Sequence, residues 1–419
     1  MFLLAGGGYG MLISPDAAVP YRVNLTRDRA GDMVRTLRLP IDSPGKSKSG
    51  RTTHGAFNVA LAHDLFERTF GPVKAQVLAA KHIIYEPDAT LIAAPISALV
   101  TDDASVALIK AKLAAPRPLD YVGVSWLGAH SYNSIALSGS AFYQARIAKP
   151  SKAVNAFYGY GDPVIPSDPQ VFASVRPKGR ATAADEDLCY RYRYSLAQMP
   201  ALKETRTEVV DVAKAVGGDA SGANYAFGAD FTDTGVIKKT DLGGYRVVYF
   251  ATHGLLDEDN PCLSTALVTS YGGDGSDALL TLAKITSLHL DADMVVLSAC
   301  NTGSNGHAKG RQAEDADKSG KAKLVAIPRI GGAGGEALGG LVTSFVQAGA
   351  RNVVVSNWEV DSGTTERLMI ALFNRRGVSQ AGALAEAERT LMGEPRFSHP
   401  YYWAPFTVVG DGDRPMPGA

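Results

Sequence analysis

Four short apolar runs, rich in β-branched residues, constrain most strongly how this chain can fold. They lie at residues 245–251, 294–299, 352–356 and 406–409. Continuous apolar runs of this length are typical of strands that are buried on both faces of a parallel sheet. Helical patterns separate most of the runs, at residues 336–348, from residue 361 or 362 onward, and at residues 379–392. The second half of the chain therefore predicts an α/β fold whose mostly parallel sheet is flanked by helices.

The first half of the chain carries a less distinctive α/β pattern. A helix is predicted over residues 56–70 and a strand over residues 82–85. Residues 159–198 are polar and rich in proline and glycine, which predicts a long connection. We therefore divide the 419 residues into an N-terminal half, 1–165, and a C-terminal half, 166–419.

Charge and hydropathy exclude several classes of protein. Lysine plus arginine number 42, as do aspartate plus glutamate, so the formal net charge is zero. Without a basic excess we expect no direct binding to nucleic acid or to an anionic membrane surface. No apolar stretch is long enough to span a bilayer, and the short apolar start lacks the basic residues of a secretory leader.

The cysteine content predicts a reducing compartment. Cys189, Cys262 and Cys300 are too few and too scattered for a disulfide framework, and an odd number leaves at least one free thiol. Cys189 and Cys262 match no zinc-ligand spacing with His289 or His307. We therefore expect a cytoplasmic protein with no metal and no other cofactor.

Two chemically reactive side chains follow the first two apolar runs. His253 comes just after the run at 245–251, and Cys300 just after the run at 294–299. Because the carboxyl ends of parallel strands meet at one edge of a sheet, an imidazole and a thiol there can act on one substrate. Each residue alone also has an ordinary interpretation, as a core histidine or an inert buried thiol. Their joint occurrence in glycine-flanked turns favours a catalytic dyad.

In this hypothesis Cys300 attacks a peptide carbonyl as the thiolate, and His253 holds and returns the proton. Gly254 lets the backbone approach the substrate closely. Its N–H and that of Cys300 are therefore predicted to form an oxyanion hole.

Several segments around these residues resemble one known family. In chain order they are ATHG at 251–254, SACNTG at 298–303, GEALGGL at 335–341, AGARNVVVSNWEVD at 348–361 and HPYYWAPF at 399–406. Together they resemble the CHAT domains, caspase-like cysteine peptidases related to caspases, gingipains and separase. Cys300 follows His253 by 47 residues, close to the roughly 50 residues between the same pair in caspases.

The resemblance implies a caspase-like fold whose N-terminal half lacks the dyad, and no cysteine precedes Cys189. It also implies a regulated cysteine endopeptidase that cleaves a protein or peptide substrate, in a bacterial defence or programmed-death pathway. Many CHAT proteins carry helical repeats, and this chain shows none. We therefore expect regulation by a separate regulatory or sensor protein partner, by self-association, or by a part of the protein outside this sequence.

A set of residues near the dyad and after the later strands is predicted to contact the substrate. The set is Asp257, Glu336, Trp358 and Asp361. An acidic pocket would favour lysine or arginine before the scissile bond. The alternatives are plain surface carboxylates, a helix cap at Asp361 and core packing of Trp358. The insert at 304–334 is interpreted either as an activation loop or as an unselected solvated segment.

Two other functions compete with the peptidase. The first is a catalytically silent CHAT scaffold that binds a protein partner in the same groove, although the intact His253/Cys300 pair argues against it. The second is a nucleotide-binding protein, which needs a phosphate loop at a strand end. The glycines at 331–335 follow the insert rather than a strand, which argues against that function.

Overall fold

The computed structural model describes most of the chain. Nothing is described at residues 43–44, 47–51, 117, 219–223, 256–260, 274, 300–312, 317–321, 326–334, 359–361 and 418–419, and only the backbone is described at 46, 52, 313–316, 322–325 and 335–338. The chain forms two compact units: Met1–Pro150 together with Arg351–Ala419, and Ser151–Ala350. This division follows contacts in space rather than halves of the sequence, and the boundary predicted at residue 165 stays a prediction.

The first stretch of the first unit contains the early strands and helices. Its strands are β1 (Phe2–Leu4), β2 (Gly7–Ile13), β3 (Ala18–Val23), β4 (Gly45–Lys46), β5 (Thr52–Thr53), β6 (His82–Tyr85) and β7 (Tyr132–Ile135). Its helices are α1 (Arg27–Asp42), α2 (Val59–Phe70), α3 (Lys74–Ala79), α4 (Asp103–Leu113), α5 (Leu127–His130) and α6 (Gly139–Ile147).

The second unit contains the strands and helices that surround the candidate dyad. Its strands are β8 (Asn155–Pro163), β9 (Tyr225–Gly228), β10 (Tyr245–Ala251), β11 (Gly254–Leu255), β12 (Ala266–Val268), β13 (Leu279–Thr281), β14 (Met294–Ser298), β15 (Ala313–Ala316) and β16 (Ala322–Val325). Its helices are α7 (Ala183–Ala197), α8 (Thr205–Val216), α9 (Asp233–Lys238), α10 (Leu282–Thr286) and α11 (Gly335–Gln347).

The last stretch of the chain returns to the first unit. It contains β17 (Asn352–Ser356), α12 (Ser362–Phe373), α13 (Gln380–Met392), α14 (Pro400–Trp403) and β18 (Phe406–Gly410). In the sheet of this unit β6 pairs parallel with β7 and β7 parallel with β18, whereas β17 and β18 are antiparallel. A separate antiparallel sheet, β1-β2-β3, lies at the N-terminus.

The largest sheet of the second unit is parallel throughout, in the order β14-β10-β8-β9. Alternate residues of β10 face opposite helices, as the period of a strand requires. On one face the hydroxyl of Tyr249 donates to a carboxylate oxygen of Glu208 in α8 (2.6 Å). On the other face the ring of Phe250 packs against Phe345 of α11, with centroids 5.4 Å apart. The predicted fold class, a mostly parallel sheet flanked by helices, is confirmed.

The long connection predicted over residues 159–198 is wrong in part, because β8 and α7 lie within it. Gly159 and Gly161, whose presence favours a loop, belong to strand β8. A Cβ on Gly159 would lie 2.3 Å from Cγ1 of Val209 in α8, so glycine is what lets this helix approach the sheet. Gly217, in the left-handed region at φ 83°, ends that helix.

The expectation that the cysteines stay unpaired is also wrong. Cys189 of α7 and Cys262 form a disulfide across a sequence separation of 73 residues. Packing brings them together, because α7 lies on the antiparallel strands β11, β12 and β13, which we call the small sheet. Counting and spacing do not reveal such a proximity. The reducing compartment inferred from unpaired cysteines loses its basis, and the cytoplasmic location stays a prediction.

Among the described residues, no helix has both the length and the apolar character needed to cross a bilayer.

Candidate active site

The two strands that lead to the candidate dyad are neighbours. β10 and β14 pair in parallel, with Val247 opposite Met294 and Ala251 opposite Ser298. His253 follows Ala251 by two residues, and Cys300 follows Ser298 by two residues. The adjacency of these strands, a condition of the dyad hypothesis, is therefore met. Cys300 itself lies outside the described residues.

The backbone at His253 is held from two sides. The Thr252 N–H donates to the Ser298 carbonyl of β14 (3.3 Å), and its hydroxyl donates to the Val268 carbonyl of β12 (2.6 Å). The Val268 N–H in turn donates to the His253 carbonyl (2.9 Å). Residues 252 and 253 are thus tied both to the parallel sheet and to the small sheet, which fixes where the imidazole leaves the backbone.

The imidazole of His253 is fully buried and has one hydrogen-bond partner among the described residues. Its Nε2 lies 2.8 Å from the carbonyl oxygen of Pro200. Because a carbonyl oxygen can only accept, Nε2 carries the proton and the lone pair of the neutral ring lies on Nδ1. Nδ1 is buried and has no hydrogen-bond partner among the described residues. The ring is therefore presented as a proton acceptor through Nδ1.

Burial dominates the electrostatics of this histidine. It lowers the pKa of His253 below the usual value, because the charged imidazolium loses its hydration. The Pro200 carbonyl and the negative charge of Glu204 oppose that shift. A neutral imidazole at neutral pH is the form that can accept a proton.

The backbone N–H of Gly254 points away from β12, the neighbouring strand of the small sheet. In the β11–β12 ladder, Gly254 is opposite Leu267 and Leu255 is opposite Ala266. The bond from Val268 to the His253 carbonyl makes 253 and 268 a hydrogen-bonded pair. The next pair of an antiparallel ladder is non-hydrogen-bonded, and its N–H groups face outward. This geometry leaves the Gly254 N–H directed away from β12.

Comparison with known proteins agrees with the segments around this site. The family model of the CHAT domain matches residues 59–411, which is most of the chain. The chain belongs to the CHAT domain family. The membership predicted from the sequence is thereby confirmed, and the sheet β1-β2-β3 lies before the matched span.

Relatives and solved structures give partial matches. Tetratricopeptide repeat protein 28 of Mus musculus is 30% identical over 136 residues, and the protein of the same name from Homo sapiens is 27% identical over 136 residues. Each match covers 32% of this chain and only 4% of the relative's length. The crystal structure of the Arg-specific cysteine proteinase gingipain R is similar at a TM-score of 0.35 and 9% identity, covering 68% of this chain and 56% of that one.

The predicted substrate-contact residues of this CHAT domain either lie in the first unit or have side chains that the structure does not describe. Asp257 and Asp361 fall among the residues that are not described, and only the backbone of Glu336, in α11, is described. Trp358 belongs to the first unit, where it is buried and its indole N–H donates to the Tyr401 carbonyl (3.0 Å). Arg38 stacks over its ring at 5.1 Å. These contacts match the core alternative, and a substrate contact for Trp358 stays a prediction.

Two features of the site were missed by sequence reasoning. The Pro200 acceptor is a backbone carbonyl, which every residue has, so no residue type announces it. The Cys189–Cys262 bond depends on the tertiary packing of α7. No sequence pattern indicates either the Pro200 acceptor or the disulfide.

The first unit contains a serine–histidine–aspartate array. Nε2 of His82 lies 2.9 Å from the Ser134 hydroxyl, and Nδ1 lies 2.8 Å from a carboxylate oxygen of Asp413. Ser134 is fully buried within β7, and a Cβ on Gly412 would lie 2.9 Å from its hydroxyl oxygen. A substrate carbonyl cannot reach that hydroxyl, so this array is structural.

Within the part of the chain that the structure describes, no three histidine, cysteine, aspartate or glutamate side chains cluster closely enough to share a metal ion.

Proposed function

We propose that this CHAT domain is a cysteine endopeptidase that uses a His253/Cys300 dyad. The observation that carries the proposal is the register of β10 and β14, in which Ala251 and Ser298 are partners. Both candidate residues follow their partnered residue by the same two positions, at the edge where parallel α/β sheets place their chemistry.

The ring of His253 supports the base role in this proposal. With Nε2 donating to Pro200, only Nδ1 is able to take the proton of the Cys300 thiol. The thiolate then attacks the substrate carbonyl carbon, and the C–N bond breaks as the imidazolium protonates the leaving amine. Water, giving its proton to the same nitrogen, hydrolyses the thioester and restores the thiol.

The charge that develops on the carbonyl oxygen needs fixed donors. We propose the N–H groups of Gly254 and Cys300 for this role, and the outward direction of the Gly254 N–H supports it. In comparable sites one such donor contributes about 2.7–4 kcal/mol to the transition state.

The substrate of the proposed peptidase is a protein or peptide, and a regulatory protein would control the cleavage. Asp257, Glu336 and Asp361 would favour lysine or arginine before the scissile bond through charge-assisted hydrogen bonds, with Trp358 as a further contact. The chain spans 4% of the length of the tetratricopeptide repeat relatives, so the activity of a whole protein is itself part of the proposal. A bacterial defence pathway and a cytoplasmic location belong to the same proposal.

The test is cleavage of a diverse peptide library by the purified chain, read by mass spectrometry. Cys300→Ala and His253→Gln are compared with the unmodified chain, with and without candidate partner proteins. We expect cleavage to fall by at least about 10³-fold in either variant. Absence of cleavage under every condition, together with partner binding that survives Cys300→Ala, would instead favour the silent scaffold.

A further inference from the structure

The disulfide of the second unit lies between the two segments that position His253. Cys189 is on α7, and Cys262 follows His253 by nine residues. Both half-cystines are buried, at 0% and 2% exposure. The bond is therefore part of the interior next to the candidate site rather than a surface cross-link.

One end of the bond leads directly to the partner of the imidazole. α7 ends at Ala197, and Pro200, whose carbonyl accepts from Nε2 of His253, follows three residues later. The turn between them contains few backbone bonds: Gln198 N–H donates to Ser195 and Met199 N–H donates to Leu196. Proline has no N–H, so residue 200 cannot anchor itself by a donor of its own. The position of its carbonyl therefore depends on where α7 lies, together with α8, which begins at Thr205.

The other end of the bond leads to the backbone of the histidine. Cys262 packs in one apolar cluster with Leu255 of β11 and with Ala266 and Val268 of β12. Val268 is the residue that holds both Thr252 and His253 by hydrogen bonds. The same cluster includes Tyr192 and Leu196 of α7. The disulfide is thus the covalent link between the helix that carries the Pro200 acceptor and the small sheet that carries His253.

We propose that the Cys189–Cys262 disulfide positions the Pro200 carbonyl on Nε2 of His253, so that the dyad works only while this bond is oxidised. The proposal rests on the proposed peptidase function and adds a redox requirement to it. When the bond is intact, Nε2 is committed as the donor and Nδ1 is the base. When it is broken, α7 loses its covalent link to the small sheet, and the carbonyl no longer fixes which nitrogen carries the proton.

The reduction step is an ordinary thiol–disulfide exchange with a dithiol. The S–S bond accepts two electrons and two protons and becomes two thiols, while the dithiol becomes its own cyclic disulfide. Cys300 stays a thiol throughout. The proposed enzyme therefore requires one reduced cysteine and one oxidised pair in the same unit. In the proposed cytoplasmic location, where thiols are kept reduced, it would be inactive until the pair is oxidised.

The test compares the unmodified chain, kept oxidised, with Cys189→Ala/Cys262→Ala, which has Cys300 as its one remaining thiol. The control is Arg246→Met, which removes the ion pair to Asp293 (2.8 Å). That pair lies at the amino-terminal ends of β10 and β14, whereas His253 and Cys300 follow the carboxyl-terminal ends. The control therefore lowers stability without changing a contact of the site. The first readout is the ¹⁵N spectrum of labelled histidine, with the His253 signal assigned from His253→Gln. The second is the separate determination of kcat and KM on the best library peptide.

In the unmodified chain we expect the spectrum of one His253 tautomer, protonated at Nε2. We expect the double variant to lose this single-tautomer pattern. We also expect its kcat to fall by about 10- to 100-fold at nearly constant KM, since a misplaced catalytic group costs factors of this size. Arg246→Met should keep both the spectrum and kcat. If the double variant fails to fold, the same readouts apply to the unmodified chain before and after reduction by dithiothreitol.

An unchanged His253 spectrum after loss of the bond would overturn the proposal, as would a kcat equal to that of Arg246→Met. If no form of the chain cleaves peptides but the His253 spectrum still changes, the positioning role holds and the peptidase function fails. The two proposals can therefore fail separately.

Discussion

Two histidines, the half-buried His82 of the first unit and the buried His253 of the second, differ in how their ring nitrogens are used. In His82, Nε2 lies 2.9 Å from the Ser134 hydroxyl, and Nδ1 lies 2.8 Å from the Asp413 carboxylate in an ion-pair contact that lacks hydrogen-bond geometry. His253 has the Pro200 carbonyl on Nε2 and, among the described residues, no hydrogen-bond partner on Nδ1. Burial lowers the pKa of both rings, so the pKa direction does not separate them. What separates them is the Asp413 carboxylate beside Nδ1 of His82, since Nδ1 of His253 has no such partner among the described residues. That difference distinguishes a candidate base from a structural histidine.

The largest expected effect comes from removing each histidine in turn. His253→Gln should lower peptide cleavage by at least about 10³-fold, because the base is lost. His82→Gln should leave cleavage within about threefold and cost about 1–3 kcal/mol of stability, because a buried hydrogen-bonded pair is broken. The measurements are kcat/KM and urea unfolding. Equal losses of cleavage in the two variants would break the comparison.

The next effect concerns the support of each histidine. His82 is held by side chains of its own unit, whereas the partner of His253 is attached to a disulfide-linked helix. Cys189→Ala/Cys262→Ala should lower the free energy of unfolding by about 4 kcal/mol, the size expected for closing a loop of this length. Urea unfolding without reductant measures it, and the His82 signal in the histidine spectrum should not move. An unchanged unfolding midpoint would contradict the expected contribution of the disulfide to the free energy of unfolding.

A third histidine extends the comparison through pH. His399 in the first unit caps α14, because its Nδ1 accepts from the Tyr401 N–H (3.0 Å), while Nε2 faces the Gly55 carbonyl (3.1 Å). Burial, with the nearby His54, lowers its pKa to about 3. The folded state binds fewer protons than the unfolded state between the ordinary histidine pKa of about 6.5 and pH 3. Stability is therefore full above that range and falls as the pH falls.

The expected loss from this one group is about 3 kcal/mol at pH 4 relative to pH 7. His399→Asn keeps a capping acceptor but cannot titrate. Its unfolding free energy should depend less steeply on pH than that of the unmodified chain. Parallel pH dependences in urea unfolding would show that His399 is not the titrating group.

The smallest expected effect is at Trp358. Trp358→Phe removes the indole N–H bond to the Tyr401 carbonyl and leaves that carbonyl without the donor. We expect a loss of about 1–2 kcal/mol in stability and no change in the ratio of cleavage after lysine or arginine to cleavage after other residues. A changed ratio with unaltered stability would favour the substrate-contact role over core packing.

The sequence predicted the strands of the site well, because continuous apolar runs rich in β-branched residues are typical of buried strands. The predicted strands at 245–251 and 352–356 have the same bounds as β10 and β17, and Ser379 caps α13 as expected. The order of the strands was not readable from the pattern. That β17 and β18 run antiparallel, for example, depends on the path of the chain through α12, α13 and α14.

The failures share one physical cause. β8 was hidden because Gly159 and Gly161 mark the close approach of α8 rather than a loop. The disulfide and the Pro200 acceptor were hidden because each depends on where α7 packs, and a backbone carbonyl or a 73-residue spacing carries no local signal. The identity of the two candidate catalytic residues could be read from the sequence, and what supports them could not.

The most direct test of the central claim is the pH dependence of the alkylation rate of Cys300 by iodoacetamide, measured under non-reducing conditions that keep Cys189 and Cys262 paired. The unmodified chain, His253→Gln and the control His82→Gln are compared. If Nδ1 of His253 serves Cys300, the unmodified chain and His82→Gln should react at least about tenfold faster at pH 7 than His253→Gln, whose profile should rise near the ordinary thiol pKa of about 8.5. Identical profiles for all three proteins would contradict the dyad.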